Sequence, residues 1–294
     1  MHPVLDDLIT LLQLERIEKN IFRGESRDIG SAQVFGGQVL GQALSAAQHT
    51  VDDRVVHSLH AYFLRRGDMQ APIVYEVDRA RDGGSFSSRR VVAIQHGRPI
   101  LNLAASFQDP EPGLEHQSLM PDVPPPGECE DILQAASELV QKMPELMRRY
   151  MQDKRAFEMR PVAQAQAAGG ATKNVWIRAV DELPDDATLH QNLLAYASDF
   201  ELLAAVLIPH DVPLAEGRII MASLDHALWF HRKFRIDEWL LYSIDSPNAS
   251  GARGLARGQF FNAAGALVAS CAQEGLVRVI DSGDQRRSDP RLQQ

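Results

Sequence analysis

The hydrophobic pattern of this chain changes from a helical to an alternating period, and does so twice. Val4 to Leu14 has the spacing of a short helix, and Leu14 to Arg23 reads as a strand. From Phe35 to Val51, apolar Val39, Leu40, Ala43, Leu44, Ala47 and Val51 recur every three or four positions. Small residues fill the remaining positions, so the segment predicts a helix buried nearly all round. Four alternating runs follow, His57 to Leu64, Ile73 to Ala80, Ser85 to Gln95 and Ile100 to Gln108. Turn residues at Arg66-Gly67-Asp68, Asp82-Gly83-Gly84 and His96-Gly97 separate them. One long helix followed by an antiparallel meander predicts a sheet wrapped around a helix.

The same order then recurs. Val175 to Val180 reads as an edge-type strand and Leu189 to Leu207 as a helix. Further strands are predicted at Ile219 to Phe230, Trp239 to Asp245, Leu255 to Asn262 and Leu267 to Val277. An offset of 165 residues carries Phe35 to Phe200, Ser58 to Ser223, Leu59 to Leu224 and Gln108 to Gln273. It also lays Leu103–Gln108 over Val268–Gln273, which makes a duplicated α+β unit the economical reading. Between the copies, Pro110, Pro112 and the run Met120–Glu128 cannot enter a central strand or a helix interior. They predict a surface linker, followed by a helical stretch from Ile132 to Tyr150 kinked at Pro144 and a loop at Gly169–Asn174. The expected division is residues 1–112, a linker over 113–154, and 155–286.

Composition narrows the function classes. At 294 residues, 45% hydrophobic and 23% charged, the chain has the profile of a soluble globular protein. A net charge of −9 argues against nucleic acid as a partner, because phosphate neutralisation needs a local Lys/Arg surplus. Two cysteines, Cys129 and Cys271, are too few for a disulfide framework and fit a reducing cytoplasm. The amphipathic amino terminus lacks a signal peptide's basic start and apolar core, and the carboxyl-terminal DQRRSDPRLQQ carries no peroxisomal address. The apolar run Leu202–Ile208 is far shorter than the roughly 20 residues that span a bilayer, so no membrane partner is expected. No P-loop, dinucleotide fingerprint or metal-ligand spacing occurs, and neither a cofactor nor a metal is expected.

The two copies disagree at one position that matters. At the 165 offset, Asp199 is matched by Val34, whereas the hydroxyl of Ser223 and the carboxamide of Gln273 recur. An aspartate within an apolar helix is costly to bury without partners. Ser198-Asp199 also fits a break in that helix, with Asp199 near a helix amino terminus. A capping role and a catalytic role both fit the position. A carboxylate can take a proton from water, while a hydroxyl and an amide hold that water on either side. One carboxylate in two copies predicts a single reaction centre.

The segments Leu267–Gly275 (LVASCAQEG), Met221–His231 (MASLDHALWFH), Leu194–Phe200 (LAYASDF) and Arg81–Val91 (RDGGSFSSRRV) closely resemble the type II acyl-CoA thioesterases, the TesB-like family. The resemblance runs from about Leu12 to Arg278. It implies a double-hotdog fold, an acyl-CoA substrate, and a catalytic trio of Asp199, Ser223 and Gln273, with Ser where some relatives have Thr. Backbone amides near Gly36 and Gly37 are candidates to stabilise a developing oxyanion, though the pair serves equally for close helix–sheet packing. Arg89, Arg90, Arg253 and Arg257 are candidates for the CoA phosphates or, equally, ordinary surface arginines.

Other features carry less. His57 and His60 lie three apart on a strand and point to opposite faces, a poor metal pair, and His226 and His231 do no better. Cys271 has no nameable activating partner and reads as a small buried residue. A hotdog hydratase or dehydratase is the alternative enzyme, but no His accompanies Asp199 in a matching motif. A non-catalytic acyl-CoA-binding module is the other alternative. A homo-oligomer, dimer or tetramer, is expected from sheet edges left free.

Overall fold

The computed structural model describes residues 1–27, 33–135, 155–163, 171–210 and 219–279. Helix α1 (Pro3–Leu12) turns Leu5, Leu8, Leu11 and Leu12 inward. The expected strand at Leu14–Arg23 is instead a hairpin, β1 (Glu15–Glu18) and β2 (Ile21–Gly24). Lys19 and Asn20 make its turn. Helix α2 (Gly36–Gln48) is buried along nearly its whole length, as its small and apolar residues require. The meander follows as β3 (Val55–Phe63), β4 (Ile73–Asp82), β5 (Phe86–Gln95) and β6 (Arg98–Gln108).

The linker runs without regular structure to a short 3-10 turn at Pro126–Glu128 and a single-turn helix, α3 (Ile132–Ala135). The kink expected at Pro144 lies outside the described residues. Met120, Val123 and Cys129 of this linker pack on Trp176, Leu241 and Phe261, and the Trp176 indole N–H donates to the Pro124 carbonyl. A proline-rich strap thus covers apolar side chains that would otherwise face water.

The second unit contains β7 (Phe157–Pro161), β8 (Thr172–Ala179), α4 (Ala187–Ala197), β9 (Ile219–Ser223), β10 (Asp225–Phe230), β11 (Leu240–Ser250), β12 (Arg253–Asn262) and β13 (Leu267–Val279). Four sequence readings need correction here. The segment Thr172–Asn174 belongs to β8 rather than to a loop, and β8 is interior, because β7 pairs on its outer side. The single helix expected over Leu189–Leu207 ends at Ala197. A left-handed Glu201 (φ 64°) then redirects the chain into a 3-10 stretch, Leu203–Leu207. The run Ile219–Phe230 divides at Leu224 into β9 and β10, where the Leu224 amide bonds Glu274 and its carbonyl accepts from Phe63.

All strands join one antiparallel sheet in the order β1-β2-β4-β5-β6-β3-β10-β13-β12-β11-β8-β7, with β9 also on β13. The order of the first six is mirrored in the last six across a seam where β3 pairs β10, Leu59 opposite Leu228. The duplication stands, but the constant 165 offset does not. That offset maps the β3–β6 pair Ser58 and Ser106 onto Ser223 and Cys271. The ladder instead pairs Ser223 with Gly275, and Cys271 with Leu228. Likewise Phe35 precedes α2, whereas Phe200 follows α4. The extra chain after α4 changes the spacing between helix and strands, so no single number aligns both.

Inside the curved sheet, α2 and α4 lie against each other. A methyl group on Gly37 would fall 2.2 Å from the Tyr196 carbonyl, and one on Gly41 3.2 Å from that of Asn192. Residue numbers rising on α2 as they fall on α4 make the pair antiparallel. The amino terminus of α2 therefore meets the carboxyl terminus of α4.

Candidate active site

Asp199 follows immediately after α4, at the end that faces the start of α2. Its carboxylate accepts the Gly37 N–H and, at 2.7 Å through Oδ1, the Gln273 side-chain amide. The position is thus near a helix amino terminus, as one sequence reading held, but the helix belongs to the other half of the molecule. That terminus offers free N–H groups and a positive dipole end to a negative charge. The side chain is only 7% exposed. Burial pushes the carboxyl above its ordinary value of 3.8, and the Gln273 and Gly37 hydrogen bonds oppose that rise. Desolvation disfavours the charged form, whereas donors aimed at the carboxylate favour it.

Gly36 and Gly37 are required for space, since neither has a positive φ. A methyl on Gly36 would lie 2.7 Å from Asp199 Oδ2 and 3.1 Å from the Phe63 ring. Close packing and amide donation turn out to be compatible: Gly37 does both.

Gln273 comes from β13 and is fully buried on the sheet face that meets the helices. Ser223 ends β9, opposite Gly275 and therefore two residues along β13 from Gln273. Residues so related share a sheet face as diagonal neighbours, about 7–8 Å apart by ordinary sheet geometry. The structure joins Asp199 to Gln273 by a direct hydrogen bond. It leaves Ser223, which is half-buried, on the same face without such a bond to either.

The site also contains a residue that sequence reasoning set aside. His226, on β10, is 1% exposed. Its Nδ1 lies 3.2 Å from Gln273 Nε2 and 3.9 Å from Asp199 Oδ1. Its Nε2 lies 2.9 Å from the Ser198 hydroxyl. Burial lowers its pKa from 6.5 to about 3, so the ring is neutral. A histidine does accompany Asp199, contrary to the sequence reading. His226 alternates along β10 with buried Leu228 and so faces inward, yet only the β10–β13 register brings it beside Gln273.

The arginines do not gather at this site. Arg89 is 2% exposed and points inward. Its guanidinium donates to the Thr50 hydroxyl and carbonyl, the Arg81 and Ser88 carbonyls and Asp82, so it is a structural cation rather than a phosphate ligand. Arg90, next along β5, faces solvent on the opposite side of the sheet. Arg257 is also on that outer side and is paired with Asp245. Arg253, at the start of β12, pairs with Glu274.

The remaining histidines and cysteines have ordinary partners. His57 Nε2 bonds the Ser106 hydroxyl, and His231 Nε2 that of Ser270. His60 meets the Trp229 ring edge-on. Cys271 is buried beside the Tyr242 hydroxyl; burial pushes its thiol pKa up to about 12, and the Tyr242 hydrogen bond opposes that rise.

The far ends of the two helices present a contrast. There Gln48 Nε2 bonds Gln191 Oε1, and the cleft beside them is lined by Arg54 and Thr188. Arg54 is held by Ser87, Asp109 and the Gly83 carbonyl. An amide-held carboxylate occurs at one end of the helix pair and a glutamine pair at the other.

Among the described residues no cluster of three or more potential metal ligands occurs, and no helix is long and apolar enough to cross a membrane.

Comparison with known proteins bears on the family and the fold. A family model for acyl-CoA thioesterase matches residues 147–276, and one for the acyl-CoA thioesterase N-terminal domain matches residues 23–108. Acyl-CoA thioesterase 2 of Haemophilus influenzae is 44% identical over 283 residues, covering 95% of this chain and 99% of that protein. The crystal structure of acyl-CoA thioesterase II TesB2 from Mycobacterium marinum superposes with a TM-score of 0.79 at 42% identity, covering 95% and 99% of the two chains. A hot dog fold protein of unknown function from Alicyclobacillus acidocaldarius, at 19% identity and a TM-score of 0.75 over 94% and 99% of the chains, shares the fold. Two helices each wrapped by half of one sheet, near-complete coverage and identity above 40% converge on one conclusion: the chain is a double hotdog and belongs to the acyl-CoA thioesterase family.

Proposed function

We propose that the chain hydrolyses acyl-CoA thioesters to a free acid and CoA, with Asp199 as general base and Ser223 and Gln273 holding the attacking water. The observation that carries this reading is the Asp199 carboxylate, buried, bonded to Gln273 and seated at the start of α2. Burial raises its pKa, which makes the ionised carboxylate a stronger base than an exposed one. The water oxygen bonds to the thioester carbon as its proton passes to Asp199. The carbon–sulfur bond then breaks, and the departing CoA sulfur takes the proton from the Asp199 carboxyl. Gly36, one residue before the amide already given to Asp199, is positioned to supply an oxyanion donor.

His226 does not revive the hydratase alternative. That chemistry needs a histidine free to exchange a proton with substrate, whereas both nitrogens of His226 face protein partners in the interior. The function is assigned together with hotdog domains at 1–112 and 155–286, a cytoplasmic location and a homo-oligomer. These rest on the halved sheet order, the two free cysteines and the outer edges of β1 and β7, which have no partner strand among the described residues. Release of free CoA thiol from a long-chain acyl-CoA tests the reading. Asp199→Asn should lower kcat by about 10²–10⁴-fold with the fold retained by circular dichroism. Near-normal turnover by that variant would remove the mechanism.

A further inference from the structure

The carboxamide of Gln273 can be oriented two ways, and only one suits a water held between it and a carboxylate. Its Nε2 faces both Asp199 Oδ1 at 2.7 Å and His226 Nδ1 at 3.2 Å. Its Oε1 is buried and finds no donor among the described residues. What fixes this choice lies behind it. The Ser198 hydroxyl donates to the Ala195 carbonyl at 3.0 Å, so toward His226 it acts as an acceptor. A neutral imidazole has one N–H and one lone pair. With Nε2–H committed to Ser198, Nδ1 must present its lone pair to Gln273.

We infer that His226, pinned by Ser198, is the positioning residue of the reaction: its Nδ1 lone pair takes one amide hydrogen of Gln273 and so holds the other on Asp199. The opposite amide orientation puts Oε1 against two acceptors at once, a lone pair and a carboxylate. That double repulsion excludes it. Gln273 Oε1 is then always directed as an acceptor, ready for the second hydrogen of the water whose first hydrogen goes to Asp199. The Tyr242 hydroxyl steadies the device by donating to the Ser198 carbonyl at 2.8 Å. This inference rests on the hydrolytic reading above, since it concerns how that water is held.

The test uses the full-length protein and thiol release from a long-chain acyl-CoA. His226→Leu keeps the volume but loses the acceptor, and should lower kcat about 10-fold or more with KM within about 2-fold. His226→Asn restores an acceptor where Nδ1 lies and should recover most of that loss. In the double variant with Gln273→Ala, His226→Leu should cause no further loss, because it acts through the amide already removed. Nitrogen NMR of the wild type should show the Nε2–H tautomer. Should His226→Leu fail to fold, Ser198→Ala supplies the same comparison, with a loss of about 3–10-fold that vanishes in the Gln273→Ala background. Additive losses, a wild-type kcat in His226→Leu or Ser198→Ala, or an Nδ1–H tautomer would overturn the inference. Absence of CoA release by the wild type would instead sink the hydrolytic reading.

Discussion

Asp199 balances two opposing effects on one side chain. Desolvation raises its pKa, and the Gln273 and Gly37 donors restrain the rise. A general base works only when ionised, and a raised pKa moves the loss of ionisation to higher pH. The acid limb of kcat/KM should therefore fall with a midpoint above 3.8, and removing a donor through Gln273→Ala should move that midpoint further up. A pH–rate profile of the two proteins measures both shifts; a midpoint that falls in Gln273→Ala contradicts the account. At this scale Asp199 stood out because its charge interrupts an apolar helix, and Gln273 through the repeat offset and the family resemblance; the structure adds the hydrogen bond between them. His226 was not, because an inward-facing histidine announces its face but not its neighbour across the ladder. Arg89 misled for a related reason: a charged residue on a strand suggests the surface, and only the register shows it turned inward onto Thr50 and Asp82.

At the scale of elements, the site depends on how closely α2 approaches α4. The two adjacent glycines that permit the approach have different neighbours, and substitution should separate their roles. Gly37→Ala sets a methyl 2.2 Å from the Tyr196 carbonyl, and a backbone carbonyl cannot swing aside. Such overpacking costs about 1–3 kcal/mol and should lower Tm by several degrees. Gly36→Ala meets movable groups, the Asp199 carboxylate and the Phe63 ring. It should leave Tm nearly unchanged while lowering kcat by about 10²-fold, the effect expected from displacing the proposed base by an ångström. Calorimetry beside steady-state kinetics distinguishes the two; equal losses of Tm in both variants would contradict the distinction. Most helices and strands were readable from their periods, but junctions were not. The break after Ala197 depends on a left-handed Glu201, and the division at Leu224 depends on hydrogen bonds from two other strands. Neither leaves a mark in hydrophobic spacing.

At the scale of the whole molecule, one hydrophobic core runs through both halves, and β3 and β10 join their sheets into one surface. The duplication was visible in the order of elements, yet a common offset misaligned the residues because the chain after α4 is longer than that after α2. Pairing two helices head to tail creates two junctions of the same kind. One received Asp199 and Gln273, and the other received Gln48, Gln191 and the partly buried guanidinium of Arg54. The stoichiometry of a non-hydrolysable acyl-CoA analogue, measured by isothermal titration, should accordingly saturate at one equivalent per polypeptide, and two equal sites would contradict it. Twin ends of one helix pair thereby call for different measurements: the end carrying the carboxylate is the one to probe for turnover, and the end carrying the glutamine pair is the one to probe for stability.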